Sequence, residues 1–121
     1  PQARQALAES GFDRGLLTVA VPGSTAGVTS IEFEPGAVAD LKAAIARAAP
    51  ENIHYEHDKA WGDGNGFFHV RAALLGPSRT FPFPDGERLL GTWQQIVLID
   101  CDNGPRRRRF VIQVLGERAG G

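Results

Sequence analysis

Glycine and proline divide this chain into short pieces, and only short elements fit between them. There are 15 glycines and 8 prolines in 121 residues. Gly11 ends a helix-like opening at Gln2–Ser10, and Pro22-Gly23 closes an apolar run at Leu16–Val21 that reads as a buried strand. Pro35 suits a first helical position, and Val38, Leu41, Ile45 and Ala48 then form an apolar stripe at helical spacing. The spacing predicts a helix over Pro35–Ala49, ended by Pro50. Pro77, Pro82, Pro84 and Asp85-Gly86 mark turns around a short strand at Arg79–Phe81.

Phe67–Leu75 reads as a strand by alternation. Phe68, Val70, Ala72 and Leu74 form one row, and Phe67, His69, Arg71 and Ala73 the other. On that reading His69 and Arg71 project together. Thr92–Asp100 is a further strand whose two rows both become apolar, so a second layer or another subunit is expected on each side. The Asp102-Asn103-Gly104-Pro105 turn joins it to a last strand at Arg106–Leu115. Strands in close succession favour antiparallel pairing, so the expected class is α+β. The expected architecture is a β-sandwich or curled, mostly antiparallel sheet with helices packed on one side. Length, and the lack of a repeat or linker, give a single domain over 1–121.

Composition narrows the function classes. A hydrophobic share of 42% argues against disorder. The formal net charge of −1 provides no global field for nucleic acid or membrane. No apolar run approaches the roughly 20 residues needed to span a bilayer. Cys101 is the sole cysteine, so no intramolecular disulfide forms, which suits a reducing, intracellular compartment. The chain opens at Pro1, already inside a helix-like pattern, as expected of part of a longer product.

The chemistry concentrates in Tyr55–His69, YEHDKAWGDGNGFFH. His57, Asp58, Asp63, Asn65 and His69 gather two imidazoles and two carboxylates in what reads as one connection. Histidine titrates near neutral pH, so the pair His57 and His69 with Asp63 suits general acid–base work. The same pair offers two ligands to a metal, which usually takes three from protein. Gly64 and Gly66 read as turn residues, and His54 as a surface residue. Gly23-Ser24-Thr25-Ala26-Gly27 reads as a strand-to-loop turn whose amides and hydroxyls can face an anion. Arg106–Arg109 suits salt bridges or a phosphate. Trp93 reads as core, Thr92 and Gln94 as ligand hydrogen-bonders, and Cys101 as a small apolar residue.

Three blocks carry a resemblance: VPGSTAGVTSIEFEPG at Val21–Gly36, DGNGFFHVRAALLGPS at Asp63–Ser78, and LLGTWQQIVLIDCDNGPRRRRFVIQVLGE at Leu89–Glu117. Together they resemble the YjbQ-like family, whose members are commonly called secondary thiamine-phosphate synthases. The resemblance implies an α/β sandwich, a cytoplasmic homotrimer, a pocket at a subunit interface and no obligate organic cofactor. The implied reaction joins a pyrimidine diphosphate to a thiazole phosphate and releases pyrophosphate.

His57 falls on the family's histidine in Tyr-x-His, and Asp63, Asn65 and Gly66 on its Asp-x-Asn-Gly. His69 falls on the second histidine of its His-x-His. Ser24, Thr25 and Ala26 fall on its His-x-Thr-Ala, and Gly91 to Gln94 on its Gly-Thr-Trp-Gln. Gly23 and Phe67 stand where the family has two further histidines, which marks a divergent branch. A strand that members carry ahead of the first helix has no counterpart in these residues.

Two function classes follow. The first is a trimeric transferase in which His57, Asp63 and His69 are catalytic, while Ser24, Thr25, Asn65, Arg71, Thr92, Gln94 and Arg106 hold a phosphorylated ligand. The second is a non-catalytic trimer binding such a ligand or a divalent metal, zinc or magnesium, at His57 and His69.

Overall fold

The computed structural model describes residues 2–61, 64–84, 90–91, 94–101 and 109–118. Helix α1 spans Gln2–Ser10, strand β1 Arg14–Ala20, strand β2 Ala26–Glu32 and helix α2 Pro35–Ala48. Helices α3 (Glu56–Trp61) and α4 (Gly66–Leu75) follow, then strands β3 (Ser78–Phe83), β4 (Gln94–Asp100) and β5 (Val111–Glu117). The α+β class expected from the sequence is borne out.

The strands form two antiparallel sheets. One has the order β3-β1-β5, with Leu17 opposite Phe81 and Val114. The other pairs β2 with β4, with Val28 opposite Leu98 and Ser30 opposite Ile96. The core lies between the sheets. Leu17 and Val19 from β1, Phe83 from β3, Val28 from β2 and Leu7 from α1 are buried together. Phe12, Phe81, Ile96, Ile112 and Val114 close around them. Alternation along β1 explains the split: Leu17 and Val19 face in, while Thr18 on the other face hydrogen-bonds Thr80 at 2.9 Å. Full burial of one such aliphatic side chain contributes roughly 1.5–3 kcal/mol.

Helix α2 begins as its sequence suggests. Glu34 has extended backbone, and its carboxylate accepts from Gly36 N and Ala37 N, both at 2.8 Å. These two backbone donors hold the Glu34 carboxyl below its ordinary range. Proline follows in the first turn, where its missing N–H costs nothing.

Three readings of the sequence change. Phe67–Leu75 is helical, not a strand, and lies within α4. Both of its alternate rows contained apolar residues, so alternation did not discriminate. The run is ten residues long and ends in Ala, Ala, Leu and Leu, all good helix formers. Its inward positions are Phe67, Ala72 and Leu75. Leu75 meets β2 at Gly27, where an added Cβ would stand 2.5 Å from the Leu75 Cβ. The segment after Tyr55 is not one loop, because it contains α3. The loop expected at Gly23–Gly27 is shorter, because β2 starts at Ala26.

Strand β4 is present at Gln94–Asp100, but within one chain it is not covered on both sides. Ile96, Val97 and Ile99 are half-buried and Leu98 is 43% exposed. The last strand is β5, Val111–Glu117. Arg106 lies outside the described residues, as do Asp63, Thr92, Trp93 and the Asp102–Pro105 turn.

Candidate imidazole-pair site

The start of helix α4 packs against the start of α3 and the residue ahead of it. Tyr55 and Asp58, at the start of α3, sit against Gly66, the first residue of α4. A Cβ at Gly66 would stand 2.6 Å from the Tyr55 Cβ and 3.0 Å from Asp58 Oδ1. Gly66 is therefore a close-approach glycine rather than a turn residue. Gly64 does serve the turn, with φ +67 and open space where a side chain would be.

The first amide of α4 has no partner within its own helix. Asn65, the N-cap residue, makes no side-chain capping bond. Asp58 supplies the acceptor from the neighbouring helix: Gly66 N donates to Asp58 Oδ1 at 3.0 Å. A carboxylate at that end also suits the helix dipole.

This junction brings the two histidines together. The rings of His57 on α3 and His69 on α4 have centroids 4.4 Å apart, tilted by 46°. His69 Nδ1 lies 3.1 Å from the Ser24 carbonyl oxygen. That oxygen only accepts, so Nδ1 carries the proton, and Nε2 of the neutral ring holds the lone pair. His57 Nδ1 lies 3.7 Å from Asp58 Oδ1, too long for a hydrogen bond but close enough for charge to act. Both groups are about one-third exposed, His57 at 32% and Asp58 at 31%, so solvent reaches the pair.

The other expected residues divide. Ser24 joins the site through its carbonyl. Thr25, next to it, is buried, and its carbonyl accepts from Cys101 N at 2.6 Å, tying the loop to the end of β4. Asn65 joins as the N-cap, its carbonyl accepting from Phe68 N at 3.0 Å. Arg71 does not stand beside His69 as alternation required. Two residues of helix turn the side chain by about 200°, so Arg71 lies on the Phe67 side. Its guanidinium stacks 4.8 Å from the Phe67 ring centre, and Nε donates to Ala49 O at 3.0 Å. It thus caps the C-terminal end of α2. Phe67 is buried there too, so a histidine at that position would face away from His57.

Gln94 is engaged within the fold, donating to Ser30 Oγ at 2.9 Å and accepting from Gly91 N at 3.1 Å. His54 is exposed as expected, beside Glu56. Cys101 is buried, as expected of a small apolar residue. Among the described residues, no three of His, Cys, Asp and Glu converge in a way that would hold a metal ion. Two imidazoles fall one protein ligand short of the usual set.

Sequence reasoning gave the carboxylate role to Asp63, whereas the described carboxylate beside the pair is Asp58. No side-chain pattern in the sequence signals this role, because the partner of Asp58 is the Gly66 backbone amide.

The fold and site define a small two-sheet α+β domain with an imidazole pair at a helix–helix junction. Comparison with known proteins gives the family of the chain. The family model for UPF0047 protein YjbQ-like matches residues 1–117. UPF0047 protein MJ1081 of Methanocaldococcus jannaschii is 34% identical over 119 residues, 98% of this chain and 83% of that protein. UPF0047 protein Mb2586c of Mycobacterium bovis is 44% identical over 97 residues, 78% and 74% respectively. The crystal structure of a YbjQ-like protein of unknown function from Sulfolobus solfataricus superposes with a TM-score of 0.87 at 33% identity. That match covers 96% of this chain and 83% of the other. The chain belongs to the UPF0047, YjbQ-like family.

Proposed function

We propose that this chain acts on a small phosphorylated ligand at the His57–His69 site. The reaction is the one the family resemblance implies, the joining of a pyrimidine diphosphate to a thiazole phosphate. A carbon–oxygen bond to pyrophosphate breaks, and a carbon–nitrogen bond to the thiazole forms. Negative charge gathers on the departing pyrophosphate, so positioned proton donors favour the step.

The observation that carries the reading is the contact between two imidazoles delivered by different helices. His69 is fixed by the Ser24 carbonyl, which leaves Nε2 to exchange a proton. A proton on His57 would stand beside the Asp58 carboxylate. A second reading, binding without turnover, draws on Gly23 and Phe67: the first has no side chain and the second is buried away from the pair. Purified protein is incubated with the two phosphorylated precursors, and thiamine phosphate is measured beside calorimetric binding of pyrophosphate. Turnover that falls in His69→Ala supports the first reading. Binding with no turnover in the parent protein supports the second.

The proposed state is a cytoplasmic homotrimer. Among the described residues no helix is long and apolar enough to cross a membrane. Leu74 at 65% and Leu115 at 63% exposure, with Leu98 on β4, are apolar surface that a subunit contact would cover. Light scattering at micromolar concentration should give three times the chain mass, and a monomer overturns the assembly.

A further inference from the structure

Asp58 belongs to neither the expected catalytic set nor the ligand contacts, yet one of its oxygens touches both halves of the site. Oδ1 accepts from Gly66 N at 3.0 Å and lies 3.7 Å from His57 Nδ1. The backbone donor belongs to the helix that carries His69, and the imidazole belongs to the residue just before Asp58 in the chain. We infer that Asp58 is the positioning residue of the imidazole pair, setting α3 against the start of α4 so that His57 faces His69. The inference rests on the acid–base reading of the pair.

The geometry around Gly66 gives this contact its force. Three restraints converge on the α3–α4 junction. Gly66 admits no Cβ, because Tyr55 and Asp58 occupy that space. Tyr55 donates through its hydroxyl to Pro50 O and lies against Phe67, with ring centres 6.4 Å apart. Phe67 carries the Arg71 guanidinium, which holds the end of α2. Tyr55, Phe67 and Arg71 thus fix the approach of the helices at the chain ahead of α3. Asp58 adds a polar contact from within α3 to the first amide of α4. Its loss loosens α3 against α4, and a small rotation of α3 about the Tyr55 end carries the His57 ring away from His69. Position is the essential property, because the Gly66 amide needs an acceptor and not a charge.

The test compares Asp58→Ala with Asp58→Asn. Asparagine keeps an oxygen acceptor for Gly66 N and removes the charge. The readouts are the proton nuclear Overhauser cross-peak between the two imidazole rings, and kcat and KM for the proposed reaction. Asp58→Ala should lose the cross-peak and lower kcat about 10- to 100-fold with little change in KM. Asp58→Asn should keep the cross-peak, and its kcat should fall less than that of Asp58→Ala, because the charge beside His57 is lost while the position of the ring is kept. Should Asp58→Ala fail to fold, Asp58→Glu carries the same test. It keeps the charge but displaces the oxygens by one methylene, and should lose the cross-peak.

A cross-peak that survives Asp58→Ala or Asp58→Glu overturns the inference, as does one lost in Asp58→Asn. Failure of the acid–base reading looks different. The cross-peak then responds as expected, while turnover is indifferent to His69→Ala.

Discussion

Replacing Gly66 by alanine sets two physical effects against each other. Helix propensity alone favours alanine over glycine by up to about 1 kcal/mol, and Gly66 opens a ten-residue helix. Packing opposes it. The new Cβ would stand 2.6 Å from the Tyr55 Cβ and 3.0 Å from Asp58 Oδ1. The Tyr55 Cβ is one bond from the backbone and cannot swing away, so α3 itself must move. Overfilling a packed contact of this kind costs roughly 1–3 kcal/mol. Displacing Asp58 also weakens its bond to the Gly66 amide, worth about 1 kcal/mol. The sum leaves Gly66→Ala destabilised by roughly 1–3 kcal/mol. Urea unfolding measures it as a lower midpoint at unchanged slope. Gly64→Ala is the control. There the space is open, and only the positive φ of +67 penalises a side chain, by roughly 1–2 kcal/mol. The reasoning is refuted if Gly66→Ala matches or exceeds the parent protein in stability, because propensity would then outweigh a contact that does not exist.

Arg71→Ala should lower stability by about 1–2 kcal/mol, through loss of the Phe67 stacking and the Ala49 bond, and leave pyrophosphate affinity unchanged by calorimetry. A large affinity loss at constant stability would instead return Arg71 to the ligand. Glu34 predicts an acid effect. Its folded value is depressed below 4.5, so its contribution is present above that pH and is lost as pH falls through the folded value. Thermal melts should show a shallower acid decline in Glu34→Gln than in the parent. An identical decline would mean that the cap does not titrate with stability.

Much of the fold was legible because local signals agreed with tertiary demands. Helix α1 matched its expected bounds, and α2 ended one residue early, at Ala48. Their apolar spacing, the turn proline and the stop residues all pointed one way. Strand β1 was legible because a short apolar run rich in β-formers, Leu16–Val21, is closed by Pro22-Gly23. The α4 run was not, since Phe67 to Leu75 has apolar residues in every register and its two polar residues, His69 and Arg71, fit either period. Choosing period 2 put those two side chains on one face. The helix sends one to Ser24 and the other to Ala49. Helix α3 hid because EHDKAW has no apolar stripe and is ordered by its neighbours. The two histidines were legible as chemistry, since their residue type announces it. Asp58 was not legible as their companion, because its partner is a backbone amide that no side-chain pattern reveals. Gln94 looked available by residue type, and a serine and a glycine amide already engage it.

The central claim is that His57 and His69 work as one unit, and a double-mutant cycle on turnover measures that directly. His57→Gln, His69→Gln and the double variant are compared by kcat/KM for thiamine phosphate formation. Each single change should cost about 10²- to 10⁴-fold, and the double variant should be little worse than the more damaged single one. Losses that multiply in the double variant, or a single variant that turns over at the parent rate, would contradict the claim.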